Sequence, residues 1–264
     1  MKQHIKLFLS TSLLVSVLLT TACKKDSKTS PDEISPEVIA QIKAQGFNTY
    51  GAKKINEGYL VEGDIILTNE DLQSTENSPE LVIANEEHYR TSKLVTGLPR
   101  TITISVNTSA TPFPAAVADA INRYNAENLQ LQFSLVSSNA DIDIVTFYQV
   151  SNTLGSGGFP KGGRPYGTIN LNTYWFNTGT NAQFLASVIA HEIGHCIGFR
   201  HTDYMNRSYS CGGAAYNEGS AGVGAIHIPG TPTGPSANSW MLACSDGSNR
   251  PFTSSDKTAL SAIY

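Results

Sequence analysis

The sequence carries little charge, and that charge is dispersed. Asp, Glu, Lys and Arg make up 15% of the 264 residues, and the formal net charge is −4. Nucleic-acid-binding surfaces need grouped basic residues, and the sequence has no such group, so no nucleic-acid partner is expected. The acidic residues are also spread out, and no calcium-binding loop is indicated.

Long apolar runs are missing as well, except for one near the N-terminus. The run from Leu7 to Leu19 follows Lys2 and Lys6. It is shorter than the roughly 20 residues that a membrane-spanning helix needs. A basic start followed by a short apolar run is typical of a secretory signal peptide, which we predict over residues 1–22.

The end of this run resembles a bacterial lipobox, Leu19-Thr20-Thr21-Ala22-Cys23, with Thr20 where a leucine is usual. We therefore predict that Cys23 is lipidated and that the polar residues 23–31 form a tether. The protein would then be an exported lipoprotein of the bacterial cell envelope, held at the membrane by its lipid alone until maturation releases it. Cleavage by an ordinary signal peptidase is the alternative.

The most informative segment is HEIGHCIGFRH, from His191 to His201. On a helix, His191 and His195 share one face, because side chains four residues apart are neighbours. Gly198 can adopt the positive φ that ends a helix, which lets His201 approach from outside it. Three protein ligands leave the fourth tetrahedral position open. We therefore predict one catalytic Zn²⁺, bound by the three histidines.

Glu192 follows the first histidine and is the expected general base. Zinc lowers the pKa of a bound water toward ~7 and polarises a carbonyl. Glu192 would take a proton from this water and later deliver one to the leaving amine. This chemistry predicts a zinc metalloendopeptidase that acts on peptide or protein substrates. The alternative is a zinc-containing binding or adhesion lipoprotein without turnover, which would have no need of a general base.

The hydrophobic periodicity predicts an alternation of short strands and helices. A helix should begin at Ser35, and two short strands should flank Glu62-Gly63. Strands are also expected over residues 101–107, 129–136, 142–147 and 168–172. Helices are expected from Pro114, through the histidine motif and, capped by Ser254 or Ser255, around Leu260.

The motif H-E-x-x-H-x-x-G-x-x-H resembles that of the metzincin zinc peptidases, and HEIGHCIGFRHTD is most similar to the small bacterial M57 peptidases. The element order over residues 100–264 also resembles a metzincin catalytic domain. This resemblance implies an α+β fold with a mixed, mostly parallel twisted sheet, two long helices and a C-terminal helix. Met241 stands where the family has its Met-turn. Ala243 occupies the position of an astacin tyrosine ligand, so no fifth zinc ligand is expected.

Further contacts are expected around this domain. The short strand containing Ile169 and Asn170 is predicted to be a sheet edge that an extended substrate could join, the alternative being a capped, solvated edge. Cys211 and Cys244 lie in loops on both sides of the site and are predicted to form a disulfide, although sequence does not fix the pairing. Cys196 is expected to be a buried packing residue, and the protein a monomer.

Residues 32–99 are interpreted as a prosegment. Within it, Glu62-Gly63-Asp64 resembles the astacin propeptide motif F-x-G-D, with Val61 in place of the phenylalanine. A carboxylate is a good zinc ligand, so Asp64 is the candidate zymogen switch. A plain hairpin turn is the alternative, because Gly-Asp is a common turn pair. Cleavage near Arg90, Lys93 or Arg100 would release the segment. His88 is expected on the surface.

Overall fold

The computed structural model of the protein describes residues 33–73, 88–219, 224–232 and 234–264. They belong to one compact unit, Asp32–Tyr264. The predicted signal peptide, the lipidation site Cys23 and the tether over residues 23–31 lie outside the described residues. No helix in the described part of the chain has the length and apolar character needed to cross a membrane.

The described chain begins with a small α/β layer. Helix α1 (Pro36–Ala44) starts where predicted, and the Ser35 side chain accepts a hydrogen bond from the backbone of Val38. Three antiparallel strands and a short helix follow: β1 (Lys53–Ile55), β2 (Gly58–Val61), β3 (Ile65–Leu67) and α2 (Asn69–Gln73). Their apolar side chains form a cluster with Phe159: Ile42, Phe47, Val61, Ile65, Leu67 and Leu72.

The larger part of the chain is built on a five-stranded sheet. Its strands, in spatial order, are β6 (Leu131–Leu135), β5 (Arg100–Val106), β7 (Ile142–Phe147), β9 (Thr168–Asn172) and β8 (Gly155–Ser156). The first four run parallel, and β8 is antiparallel to β9. Strand β4 (Tyr89–Arg90) pairs separately with β10 (Ile226–His227).

Four helices complete this part: α3 (Phe113–Asn125), α4 (Ala182–Ile197), α5 (Ser208–Cys211) and α6 (Ser254–Ile263). α3 packs against α4, and the Tyr124 hydroxyl donates to the Ala190 carbonyl at 2.7 Å. α6 is capped by Thr253 rather than by Ser254 or Ser255 as predicted, since Thr253 and Asp256 form a reciprocal capping box. The predicted α+β class with a mostly parallel sheet is confirmed.

The sheet edge is not where the sequence predicted it. Ile169 and Asn170 lie in β9, which has β7 on one side and β8 on the other, with Asn170 opposite Ser156. Asn170 is therefore paired on both sides and is not at a free edge, contrary to the expectation, whereas Ile169 pairs with Ile144 of β7 and lies outside the β8 register. β8 is only two residues long and contains a glycine, so it lacks the side-chain alternation that marks a strand.

The residues just before β5 belong to the larger part of the fold. The backbone of Thr91 donates to Gly198, and that of Val95 donates to the Tyr264 hydroxyl. His88 is not on the surface as expected: it is buried, and its Nε2 lies 2.6 Å from Asp256 Oδ1. Residues 88–99 are thus anchored by many contacts to the core that carries the histidine motif.

Candidate metal centre

Helix α4 places the first two histidines of the motif. Asn181 caps its start by accepting a hydrogen bond from Gln183, and its inner face is buried in the main core. The helix ends at Gly198, with φ 112°, where a Cβ would lie 2.5 Å from the Lys93 carbonyl oxygen. Only glycine fits this turn, and the turn directs the chain back toward His201.

The three histidine side chains converge through their Nε2 atoms. His195 Nε2 lies 3.1 Å from that of His191 and 3.2 Å from that of His201. The opposite ring nitrogens are all engaged: Nδ1 of His191 bonds to the Trp240 carbonyl, and Nδ1 of His195 to that of Phe199. Because each Nδ1 faces an acceptor, the metal-bound form would keep its proton there and leave each Nε2 lone pair for the common centre.

This arrangement fits one zinc ion. Tetrahedral zinc with bonds of about 2.0–2.1 Å holds its nitrogen ligands roughly 3.3–3.4 Å apart, close to the distances between the histidine nitrogens. Imidazole is a preferred ligand of this metal. The structure thus brings together the three predicted ligands, His191, His195 and His201, in a set that can hold the ion.

A fourth side chain that could bind a metal comes from the N-terminal layer. Asp64 Oδ2 lies 3.1 Å from His201 Nε2 and 3.6 Å from His191 Nε2, and Asp64 Oδ1 is buried without a hydrogen-bond partner. Burial raises the pKa of Asp64, but the nearby His201 and His191 outweigh it and hold that pKa well below its ordinary value. The carboxylate is therefore placed as an anion at the centre of the histidine cluster.

The β2–β3 turn is shaped to deliver this carboxylate. Glu62 and Gly63 have φ of 53° and 93°, and a Cβ on Gly63 would lie 2.8 Å from Arg207 Nη2. Asp64 and Ile66 then exchange backbone hydrogen bonds with Gly157, directly after β8. The sheet edge beside the metal centre is thus occupied by the protein's own N-terminal segment.

Glu192 lies on α4 beside the sheet edge. It is buried, and its Oε2 has no hydrogen-bond partner. Cβ atoms built on Gly155 and Gly157 would approach its carboxylate oxygens to 3.0 and 3.3 Å, so these glycines leave room for it. Burial, reinforced by the negative charge of Asp64, raises the pKa of Glu192 well above its ordinary value.

Met241 lies buried beneath the histidine helix. A Cβ on Gly194 would approach its sulfur to 2.4 Å, so the methionine loop and α4 pack as closely as a glycine allows. The preceding Trp240 supplies the carbonyl that orients His191, and its own backbone N–H donates to Asp256 at 3.3 Å. Met241 thus belongs to a loop that supports the first ligand.

Glu218 was not predicted from the sequence, yet it contacts the third ligand. Its carboxylate oxygens lie 2.8 and 3.0 Å from Nδ1 of His201, and it also accepts a hydrogen bond from Arg207 at 2.6 Å. Burial raises the pKa of Glu218, but His201 and Arg207 outweigh it and keep that pKa below its ordinary value. Glu218 lies in an irregular stretch without periodicity, so no local pattern could identify it.

Two loops beside the centre are joined covalently. Cys211 and Cys244 form a disulfide across 33 residues of sequence, and Cys196 is a free, buried thiol. Asp203 accepts hydrogen bonds from the Ser210 hydroxyl and the backbone of Ala243, which tie the same two loops together. The disulfide thus fixes the loop that carries Met241 to the chain that follows His201.

A cleft of about 910 Å³ opens next to this centre. Its walls include His191, Glu192 and Asp64, and it extends over apolar side chains of α4 and the loop after β7. Arg207 and Arg250 also line the cleft. A cleft of this size can hold several residues of an extended peptide beside the metal-binding histidines.

Comparison with known protein families supports a peptidase centre. The sequence profile of Peptidase_M57, described as a dual-action HEIGH metallo-peptidase, matches residues 59–264. No curated protein matches the chain. Among solved structures it is similar to myroilysin, with 16% identity, 67% of this chain and 98% of that chain covered, and a TM-score of 0.43. It is also similar to high choriolytic enzyme 1, a hatching enzyme zinc-protease from Oryzias latipes (medaka fish). The identity is 15%, 61% of this chain and 88% of that chain are covered, and the TM-score is 0.32.

Proposed function

The chain belongs to the M57 family of HEIGH metallopeptidases, enzymes that hydrolyse peptide bonds with one zinc ion, and from this premise we propose a latent, exported endopeptidase. The observation that carries the proposal is the position of Asp64, whose Oδ2 lies 3.1 Å from His201 Nε2 at the centre of the histidine cluster. With zinc bound, this acidic side chain from a preceding segment would take the coordination position that the catalytic water needs.

His191, His195 and His201 would hold the zinc. When bound, the ion supplies Lewis-acid chemistry, which lowers the pKa of water and polarises the scissile carbonyl. The chain's own part is to direct three neutral imidazoles at one point, through hydrogen bonds from their Nδ1 atoms to two backbone carbonyls and to Glu218. This preorganisation keeps the ligand set in place during turnover.

Glu192 is the proposed general base. Its Oε2 is buried and free of any hydrogen-bond partner, which suits an atom that accepts a proton from the attacking water. The same carboxyl group would then deliver the proton to the leaving amine. The glycines at positions 155 and 157 keep the space next to this carboxylate open.

The test compares Glu192→Ala with wild type after maturation of the full chain by limited proteolysis. We expect casein hydrolysis to fall by about 100-fold or more, because general acid–base catalysis contributes at least that much. Zinc content, measured by mass spectrometry of the metal, should remain one ion per chain. His195→Ala is the matched variant and should lose the zinc as well. Equal zinc loss in both variants would show that Glu192 acts as a ligand instead.

Latency is proposed to come from the part of the predicted prosegment, residues 32–99, that precedes His88, because residues 88–99 are anchored to the larger part of the fold. The predicted cleavage positions Arg90, Lys93 and Arg100 are poor candidates for the maturation site. The chain around Arg90 and Lys93 pairs with β10 and with Gly198, and Arg100 lies in β5, paired with β6. The segment would be held by Asp64 at the metal centre and by its pairing with Gly157 at the sheet edge. Its removal would open both the metal centre and the edge to substrate.

The cellular location is proposed from the N-terminal sequence. Cys23 would carry lipid, and the enzyme would work as a monomer on the bacterial envelope until it is released. Labelling with a fatty-acid probe in the native host should mark the wild type, whereas Cys23→Ser should be unmarked. A soluble, unlabelled wild-type product would exclude the lipid anchor.

A further inference from the structure

Two arginines beside the metal centre contact the N-terminal hairpin. Arg200 Nη2 donates to Glu62 Oε2 at 2.9 Å, and both side chains are fully buried. Arg207 donates to the backbone carbonyl of Glu62 and, at 2.6 Å, to Glu218 Oε1. Both guanidinium groups therefore contact Glu62, which lies two residues before Asp64, the proposed switch residue.

Some of the groups that cover Arg200 belong to the N-terminal segment, which is removed on maturation according to the proposed function. Glu62 pairs with its guanidinium, and the Phe47 ring lies over it at 5.6 Å. The remaining contacts come from the loop after the histidine motif, including the carbonyl of Gly219 at 3.0 Å. Arg207 already lines the cleft. Departure of the N-terminal layer would therefore expose the side of Arg200 that Glu62 now contacts, next to Arg207 in the cleft.

Glu218 compensates the charges of Arg200 and Arg207 only in part. It is bonded to His201 and to Arg207, and its nearer oxygen lies 3.9 Å from Arg200 Nη2, beyond hydrogen-bond range. Among the described residues outside the N-terminal layer, this 3.9 Å contact is then the only one that Arg200 keeps with a carboxylate, which His201 and Arg207 already engage, so its positive charge is poorly compensated. An uncompensated buried or half-buried charge is costly, and a carboxylate from outside would relieve that cost.

We propose that Arg200 and Arg207 form a carboxylate-binding subsite, which takes an acidic side chain of the peptide substrate and which Glu62 fills in the precursor. This inference rests on the proposed release of the N-terminal segment. Arginine binds carboxylates with fixed, charge-assisted geometry. The subsite lies close enough to the metal centre that an acidic residue near the scissile bond reaches it, just as Glu62 does beside Asp64.

The first experiment uses enzyme matured from the full chain and a set of fluorogenic peptides. Each position flanking the scissile bond carries either Glu or Gln in otherwise identical peptides. At one position kcat/KM should be about 10- to 100-fold higher for Glu, the range expected for a hydrogen bond to a charged group. Equal kcat/KM for Glu and Gln at every position would overturn the proposal and show that Glu218 suffices.

Two arginine variants test which side chain causes the preference for Glu over Gln in the substrate. Arg207→Gln should reduce the Glu/Gln ratio to near one. Arg250→Gln, which alters another arginine of the same cleft, should keep the ratio, because Arg250 is already bonded to the Cys244 carbonyl and lies 3.5 Å from Asp246. A ratio lost in Arg250→Gln and kept in Arg207→Gln would overturn the assignment to this subsite.

A binding measurement separates this inference from the proposed function. A synthetic peptide of residues 58–67 is titrated into the matured, zinc-loaded protein by calorimetry, and compared with the same peptide carrying Glu62→Gln. The change should weaken binding by about tenfold or more. Equal affinity of the two peptides would overturn the subsite. Absence of hydrolysis together with a large affinity difference would instead refute the peptidase proposal and leave the subsite supported.

Discussion

At the scale of single residues, Glu218 holds a position that the zinc ligands depend on. Its carboxylate faces Nδ1 of His201 at 2.8 Å, so the imidazole is fixed in rotation and its proton is held away from the metal side. Carboxylates in this position raise the basicity of the ligand and orient its ring. His191 and His195 have only neutral backbone carbonyls in the same role. Glu218 therefore supplies the one anionic partner among the three.

Glu218→Gln should weaken zinc binding by about 10- to 100-fold, the usual effect of losing such a partner. The measurement is competition with a chromogenic chelator, with the free energy of unfolding of the metal-free protein as a second readout. Glu127→Gln, which alters a glutamate paired with Lys257 on the surface, is the matched control and should bind zinc normally. Unchanged zinc affinity in Glu218→Gln would mean that the carboxylate only pairs with Arg207.

At the scale of elements, the close packing of α4 on the methionine loop can be tested at Gly194. In an open helix, glycine to alanine stabilises by up to about 1 kcal/mol. Here the new Cβ would lie 2.4 Å from the Met241 sulfur, so we expect Gly194→Ala to lower the free energy of unfolding by about 1–3 kcal/mol. Chemical denaturation measures this change. Gly167→Ala is the control, because its Cβ would meet only the Asp141 carbonyl oxygen at 3.7 Å, and its free energy of unfolding should stay near that of wild type. A similar loss of unfolding free energy in both variants would refute the packing argument.

The elements also show how far sequence reasoning reaches. The strands of the parallel sheet and the long histidine helix were predictable, because apolar periodicity and the spacing of His191 and His195 are local properties. The edge strand β8 was missed because it has two residues and no alternation. The burial of His88 could not be foreseen either, since its partner Asp256 lies 168 residues further on. Contacts set by the tertiary fold leave no local pattern.

At the scale of the whole molecule, the N-terminal layer and the larger fold are joined at several independent points. Phe47 stacks on Phe159 at 6.1 Å, Asp64 and Ile66 pair with Gly157, and Glu62 pairs with Arg200. The contact at the metal centre is therefore one of several that hold the layer in place. The layer should stay bound when that one contact is removed, so latency and attachment can be separated by mutation.

Asp64→Ala in the full chain should release activity without cleavage. Removal of this carboxylate leaves the three histidines as the zinc ligands and opens the fourth position, while the pairing at Gly157 and the Glu62–Arg200 ion pair still hold the layer. We expect hydrolysis of a short fluorogenic peptide to rise at least tenfold above that of the uncleaved wild type, with the chain length verified by mass spectrometry. Glu57→Ala removes an exposed carboxylate from the turn between β1 and β2 and should leave the precursor latent. If uncleaved Asp64→Ala is as inactive as this control, the block comes from occupation of the edge at Gly157, and Asp64 is a turn residue without a switching role.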